Sequence, residues 1–181
     1  MTLIFTLTNC TEKRKLPKIS PADLSAYTLE VNSAGLSKLS ATMKTVHGNL
    51  KVQFYPKLAP NTVNRLIKLI QSGFYDGLAF HKVIPNFVVQ TGDPSNTGNG
   101  GSGFKLKAEF NNIPHIRGTI AMARLPNIEN KDSADSQFYI ALNTLPHLDK
   151  KFTVFAQVTD GLEILNKITI GDKILSITLN N

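Results

Sequence analysis

The chain has 181 residues, 41% of them hydrophobic and 18% charged, which is the length and mixture of one globular domain with a tail. No apolar run is long enough to cross a bilayer as a helix, and the single cysteine, Cys10, excludes an internal disulfide or a paired-cysteine zinc site. The net charge of +7 favours acidic partners through long-range attraction, but the cations are scattered and no basic run is interleaved with aromatics, so nucleic-acid binding has no support.

Residues 1–9 lean apolar through Leu3, Ile4, Phe5 and Leu7 and run straight into Cys10. Leu7-Thr8-Asn9-Cys10 resembles the lipobox of bacterial lipoproteins, which implies a lipid on Cys10 and a membrane tether. Against it, no Lys or Arg precedes Cys10, threonine interrupts the apolar stretch, and Asn9 is unusual before the cysteine. The competing reading is a disordered cytosolic N-terminus with an incidental cysteine. Export, to the periplasm or a membrane-anchored state, is favoured over the cytoplasm. Residues 11–27 are polar, basic and proline-punctuated (Lys13, Arg14, Lys15, Pro17, Pro21), the composition of a linker. The expected division is a signal-like segment with linker over residues 1–27 and a folded domain over 28–181.

From Ala41 the chain alternates: Met43 and Thr45, then His47-Gly48-Asn49, then Leu50, Val52 and Phe54, which predicts a β-hairpin. Pro60 opens a predicted helix with Val63, Leu66, Ile67 and Ile70 on one face, and Gly73 stops it. Strands are predicted at Ala79–Val83 and Phe87–Thr91, broken by Pro85-Asn86. The glycine-rich loop Gly92–Gly103 follows. Further strands are predicted at Gly118–Ala123, Gln137–Leu142 and Phe152–Val158, then a short helix at Leu162–Ile168 and a last strand at Ile174–Thr178. Many short strands with two helices predict a mainly β chain, a closed antiparallel barrel capped by two α-helices.

Gly98-Asn99-Gly100-Gly101-Ser102-Gly103 satisfies the GxGxxG pattern of dinucleotide sites. Such a turn must open a helix whose N-terminus holds pyrophosphate. Here Phe104 to Phe110 alternates like a strand, so the glycines are read instead as permitting positive φ and close backbone approach. Cys10 lies outside the globular part and no Gly-x-Ser-x-Gly elbow exists, which leaves a hydrolase without support. His81, between Phe80 and Lys82, reads as a strand histidine that supports packing.

Phe80-His81-Lys82-Val83-Ile84-Pro85-Asn86-Phe87-Val88-Val89-Gln90-Thr91-Gly92-Asp93-Pro94 resembles the cyclophilin signature FHRVIPxFMxQGGDP. Ala59-Pro60-Asn61-Thr62-Val63 and Gly73-Phe74-Tyr75-Asp76-Gly77 are similar to the segments that precede it in that family. Gly118-Thr119-Ile120-Ala121-Met122-Ala123-Arg124, Ser136-Gln137-Phe138-Tyr139-Ile140, His147-Leu148-Asp149 and Phe152-Thr153-Val154-Phe155 are similar to those that follow. The order is the family's, over about residues 41–178, and the details are nearest to bacterial single-domain members.

The resemblance implies an eight-stranded barrel and peptidyl-prolyl cis-trans isomerase activity in protein folding, without metal or cofactor. Phe87, Val88, Tyr139 and Leu148 would line the proline pocket. Lys82 and Gln90 would act on the substrate amide, and Gly98, Ala123, Arg124, Gln137, His147 and Phe152 would contact the peptide. The partners implied are proline-containing segments of folding or exported proteins, met by a monomer. Several positions depart from the family. Lys82 replaces its arginine, Val88 a methionine and Tyr139 a phenylalanine; Phe152 stands where many members have histidine, and His147 where some have tryptophan. A lysine lacks the planar, multi-donor guanidinium, so reduced turnover is expected. Two alternatives stay open: a proline-segment binding module without appreciable turnover, and a chaperone-like protein that ignores the cleft.

Overall fold

The computed structural model describes residues 39–125 and 131–180; the lipobox-like segment with Cys10, the linker and the boundary at residue 28 lie outside them. Eight strands form: β1 (Ser40–Thr45), β2 (Gly48–Phe54), β3 (Lys82–Ile84), β4 (Val88–Thr91), β5 (Thr119–Met122), β6 (Phe138–Ala141), β7 (Val154–Asp160) and β8 (Ile174–Asn180). They make one antiparallel sheet in the order β3-β4-β6-β5-β7-β2-β1-β8. The predicted hairpin is β1–β2, with Thr45 opposite Gly48 across a two-residue turn at Val46-His47.

The expected closed barrel is corrected to a half-barrel. The edge strands β3 and β8 form no ladder with each other. Their edges meet just outside the strands, through the isolated bridge Ala79↔Lys173 and the bonds from Phe80 N–H to Asp172 O (2.8 Å) and Ile174 N–H to Leu78 O (2.9 Å). Ala79 and Phe80, expected within a strand, serve this seam, and β3 is left with three residues.

The expectation of two α-helices is also corrected: the described residues contain one, α1 (Pro60–Gln71). Proline occupies its first turn, where the missing N–H has no helical partner to lose, and Val63, Leu66, Ile67 and Ile70 are buried as the spacing predicts. Gly73, at φ 69°, ends it, and Phe74 N–H closes the last turn on Leu69 O at 2.9 Å. The second expected helix is a five-residue 3-10 helix, Leu162–Asn166; so short a segment takes the tighter winding.

The alternating run Phe104–Phe110 does not become a strand and makes only the bridge Leu106↔Ala134. Its backbone donors are taken by side chains instead. Phe104 N–H bonds Asp135 Oδ2 (3.1 Å), Ala108 N–H bonds Asp132 Oδ1 (2.8 Å) and Glu109 N–H bonds Thr153 Oγ1 (2.9 Å).

Successive side chains of a strand face opposite sides of the sheet. Val89, Ile120, Met122, Phe138 and Ile140 enter the main core beneath α1. Their neighbours Val88, Ala121, Tyr139 and Ala141 form a second apolar cluster on the opposite face, with Phe87, Leu148 and Phe152 packed against it. That second face carries the candidate site.

Candidate active site

Strand register sets the floor. Lys82 pairs with Gln90 across β3–β4, and Gln90 with Tyr139 across β4–β6. A cavity of about 240 Å3 opens over them. Val88 and Tyr139 form its base, Phe87, Leu148 and Phe152 its apolar walls, and Lys82, Gln90, Ala123 and Arg124 its rim, together with Leu125, which sequence reasoning did not anticipate. The site is apolar below and cationic at the edge.

Of the other residues expected here, Gly98 and Gln137 line a neighbouring cavity of about 410 Å3 that shares Lys82, Gln90, Ala123 and Arg124 with the first. His81 lies on the wall of that larger cavity and outside β3, so its reading as a strand histidine is corrected. Desolvation lowers the pKa of its imidazole, against the pull of the Asp93 carboxylate. His147 lines neither cavity; it stacks on Phe87 with ring centroids 5.8 Å apart and planes 12° from parallel, backing that wall.

A side-chain chain orients Gln90. Its Nε2 donates to Gln137 Oε1 (2.8 Å), and Gln137 Nε2 donates in turn to Gly98 O (3.0 Å) and Gly100 O (2.7 Å). With the amide nitrogen engaged, Gln90 Oε1 is the atom left to accept from a peptide N–H.

The loop carbonyls are fixed from within. Asp93, fully buried, accepts from Ser95 N–H (2.7 Å), Ser95 Oγ (2.7 Å), Gly98 N–H (2.6 Å) and Gly100 N–H (3.2 Å). Burial alone would raise its pKa, but the bonds from Ser95, Gly100 and Gly98 outweigh that and lower it to about 2. A Cβ on Gly100 would collide with Asp93 Oδ1 and Ser95 Oγ. The GxGxxG lookalike is thus a loop wrapped round two carboxylates, Asp93 for Gly98 and Gly100 and Asp135 for Ser102 and Gly103, with no helix after it.

The two rim cations differ. The Arg124 guanidinium lies 4.9 Å from the centroid of the Phe152 ring, a cation–π contact that holds it on the wall. Lys82 is exposed, and among the described residues neither cation forms an ion pair.

Sequence reasoning missed His115. It is completely buried, with Nε2 2.9 Å from the Tyr139 hydroxyl and Nδ1 2.9 Å from Asp149 Oδ1. Isolated between Pro114 and Ile116, it carries no periodic signal. The available clue was chemical: a tyrosine in an apolar floor needs a partner for its hydroxyl.

The cyclophilin type peptidyl-prolyl cis-trans isomerase family model matches residues 40–177. A peptidyl-prolyl cis-trans isomerase of Synechococcus elongatus is 43% identical over 141 residues, 77% of this chain and 94% of that protein. One from Helicobacter pylori is 41% identical over 159 residues, 85% of this chain and 95% of that protein. Among solved structures, a Cryptosporidium parvum cyclophilin type isomerase, crystallised in the presence of the dipeptide Ala-Pro, superposes with a TM-score of 0.72 at 28% identity, covering 78% of this chain and 99% of that one. With the motif order, the half-barrel and the relatives in agreement, this chain belongs to the cyclophilin-type peptidyl-prolyl cis-trans isomerase family.

Proposed function

We propose that the protein accelerates rotation about X-Pro bonds of polypeptides by stabilising the twisted amide in the Lys82–Gln90 cleft. Amide resonance imposes a barrier of about 18–20 kcal/mol, and no covalent step is needed to lower it. The prolyl ring enters the apolar cavity over Val88 and Tyr139. Gln90 Oε1 accepts from the substrate backbone and fixes its position. Lys82 Nζ donates toward the prolyl nitrogen, whose lone pair becomes available as conjugation is lost, so the interaction strengthens in the transition state. Arg124 adds positive charge at the same rim. The observation that carries this reading is the register Lys82–Gln90–Tyr139, which sets a cation, an amide and an apolar floor side by side. Isomerisation of an Ala-Pro peptide by the full chain tests it; relaxation at the rate found in buffer would remove it.

Lys82 favours a second reading, a proline-segment binder with little turnover, because an ammonium is a point donor on a flexible stem. Saturable binding of the same peptide without acceleration would select it. The proposed workplace is outside the cytoplasm, tethered through Cys10. A lipid-sized mass increase on that residue supports this, and an unmodified soluble chain beginning at Met1 overturns it.

A further inference from the structure

A hydroxyl at the bottom of a proline pocket is a liability. Water or a polar group attracted to it would compete with the prolyl ring. Tyr139 carries such a hydroxyl, and burial pushes its pKa well above the ordinary tyrosine value, so it stays a neutral donor. Its partner is His115, whose ring lies 18° from parallel to that of Tyr139 at 6.0 Å between centroids. Phe152 packs edge-on against both rings, at 6.4 Å and 5.6 Å.

Asp149 fixes the direction of the hydrogen bonds. Its Oδ1 accepts from His115 N–H at 2.7 Å and faces His115 Nδ1 at 2.9 Å. Those bonds, the backbone one first, hold its carboxyl below the ordinary range, so it is ionised and can only accept. With Nδ1 facing an acceptor, the arrangement that satisfies all three groups puts the ring proton on Nδ1 and leaves the Nε2 lone pair to accept from the Tyr139 O–H, away from the cavity. Asp149 also follows directly on Pro146–Leu148, the 3-10 turn that supplies the Leu148 wall. One carboxylate thus steadies both floor and wall.

We infer that His115 and Asp149 are positioning residues for this pocket: they hold the Tyr139 hydroxyl inside the protein so that the substrate proline meets only carbon. The inference rests on the isomerase reading above. It also explains how a tyrosine is accommodated at a position where the family has phenylalanine: the change needs His115 behind it.

The test is a double-mutant cycle in the full-length protein, with KM and kcat measured separately on an Ala-Pro peptide. His115→Leu strands the hydroxyl, whose remaining outlet is the cavity, and should raise KM about five- to tenfold. Tyr139→Phe supplies the second background: with no hydroxyl left to strand, His115→Leu should there change KM by less than about twofold relative to Tyr139→Phe alone. A purely structural His115 would lower the melting temperature and leave KM unchanged in both backgrounds; that result overturns the inference. If His115→Leu does not fold, Asp149→Asn replaces it: KM should rise in the parent background and not in the Tyr139→Phe background, and equal effects in both would overturn the inference. Nitrogen-15 NMR of the imidazole gives a readout independent of turnover. It should find the neutral ring protonated on Nδ1, and a proton on Nε2 would contradict the arrangement. Should the parent show no turnover at all, the isomerase reading fails, while the tautomer and the affinity for Ala-Pro peptide still decide the role of His115.

Discussion

At Lys82, charge and shape come apart. The ammonium supplies the cation the reaction asks of this position but not the planar fork of donors. Lys82→Ala should lower kcat/KM about a hundredfold, the low end of the range for a lost transition-state donor, and leave the melting temperature nearly unchanged because the side chain is exposed and forms no ion pair among the described residues. Equal kcat/KM in variant and parent would remove Lys82 from the mechanism. Lys82→Arg should raise turnover. Asp93 makes a prediction of a different kind. Its folded pKa of about 2 is below the ordinary carboxylate value of about 3.9. The stability it contributes is therefore complete above about pH 4 and is lost as pH falls toward about 2. Acid titration of Asp93→Asn should show a protein less stable at neutral pH whose stability lacks that decline. An unchanged acid limb would show that Asp93 is not the group responsible.

Among the elements, α1 shows what a sequence hides. Ala59 offers no side-chain cap, and the role falls to Glu109, distant in the chain, whose carboxylate accepts from Asn61 N–H (2.9 Å) and Thr62 N–H (2.8 Å). A negative charge there also suits the helix N-terminus. Glu109→Ala should cost about 1 kcal/mol in denaturant unfolding with kcat/KM unchanged, and no loss of stability would show the cap to be idle. The buried face of α1 was legible because its apolar spacing is local. The β1–β2 hairpin was legible for the same reason. Phe104–Phe110 misled because alternation records which side chains are apolar and says nothing of where the backbone donors go; Asp135, Asp132 and Thr153 take them. That the expected closed barrel would be a half-barrel was illegible on similar grounds, since β3 and β8 form no ladder and residues 77–80 and 171–174 meet only through backbone hydrogen bonds, of which side-chain pattern carries no information. The cleft residues were recognised by their order along the chain. His115 could not be, because its meaning depends on Tyr139 and Asp149, which only the fold brings to it.

For the whole molecule, the charge of +7 acquires a place to act. Lys82 and Arg124 border both cavities without carboxylate partners among the described residues, and Lys105, on the larger one, reaches Asp135 only at 3.8 Å. Peptides with glutamate beside the proline should be turned over faster than neutral ones at low ionic strength, and the advantage should shrink severalfold between about 0.05 M and 0.5 M salt as the Debye length contracts. A salt-independent preference would assign it to shape. Catalysis in the Lys82–Gln90 cleft is the central claim. The most direct measurement is the cis-to-trans relaxation rate of an Ala-Pro peptide with the parent protein, with Lys82→Ala and with buffer alone. The rate should rise in proportion to parent concentration and be strongly reduced for Lys82→Ala. A parent rate equal to that of buffer, or a Lys82→Ala rate equal to that of the parent, would contradict it.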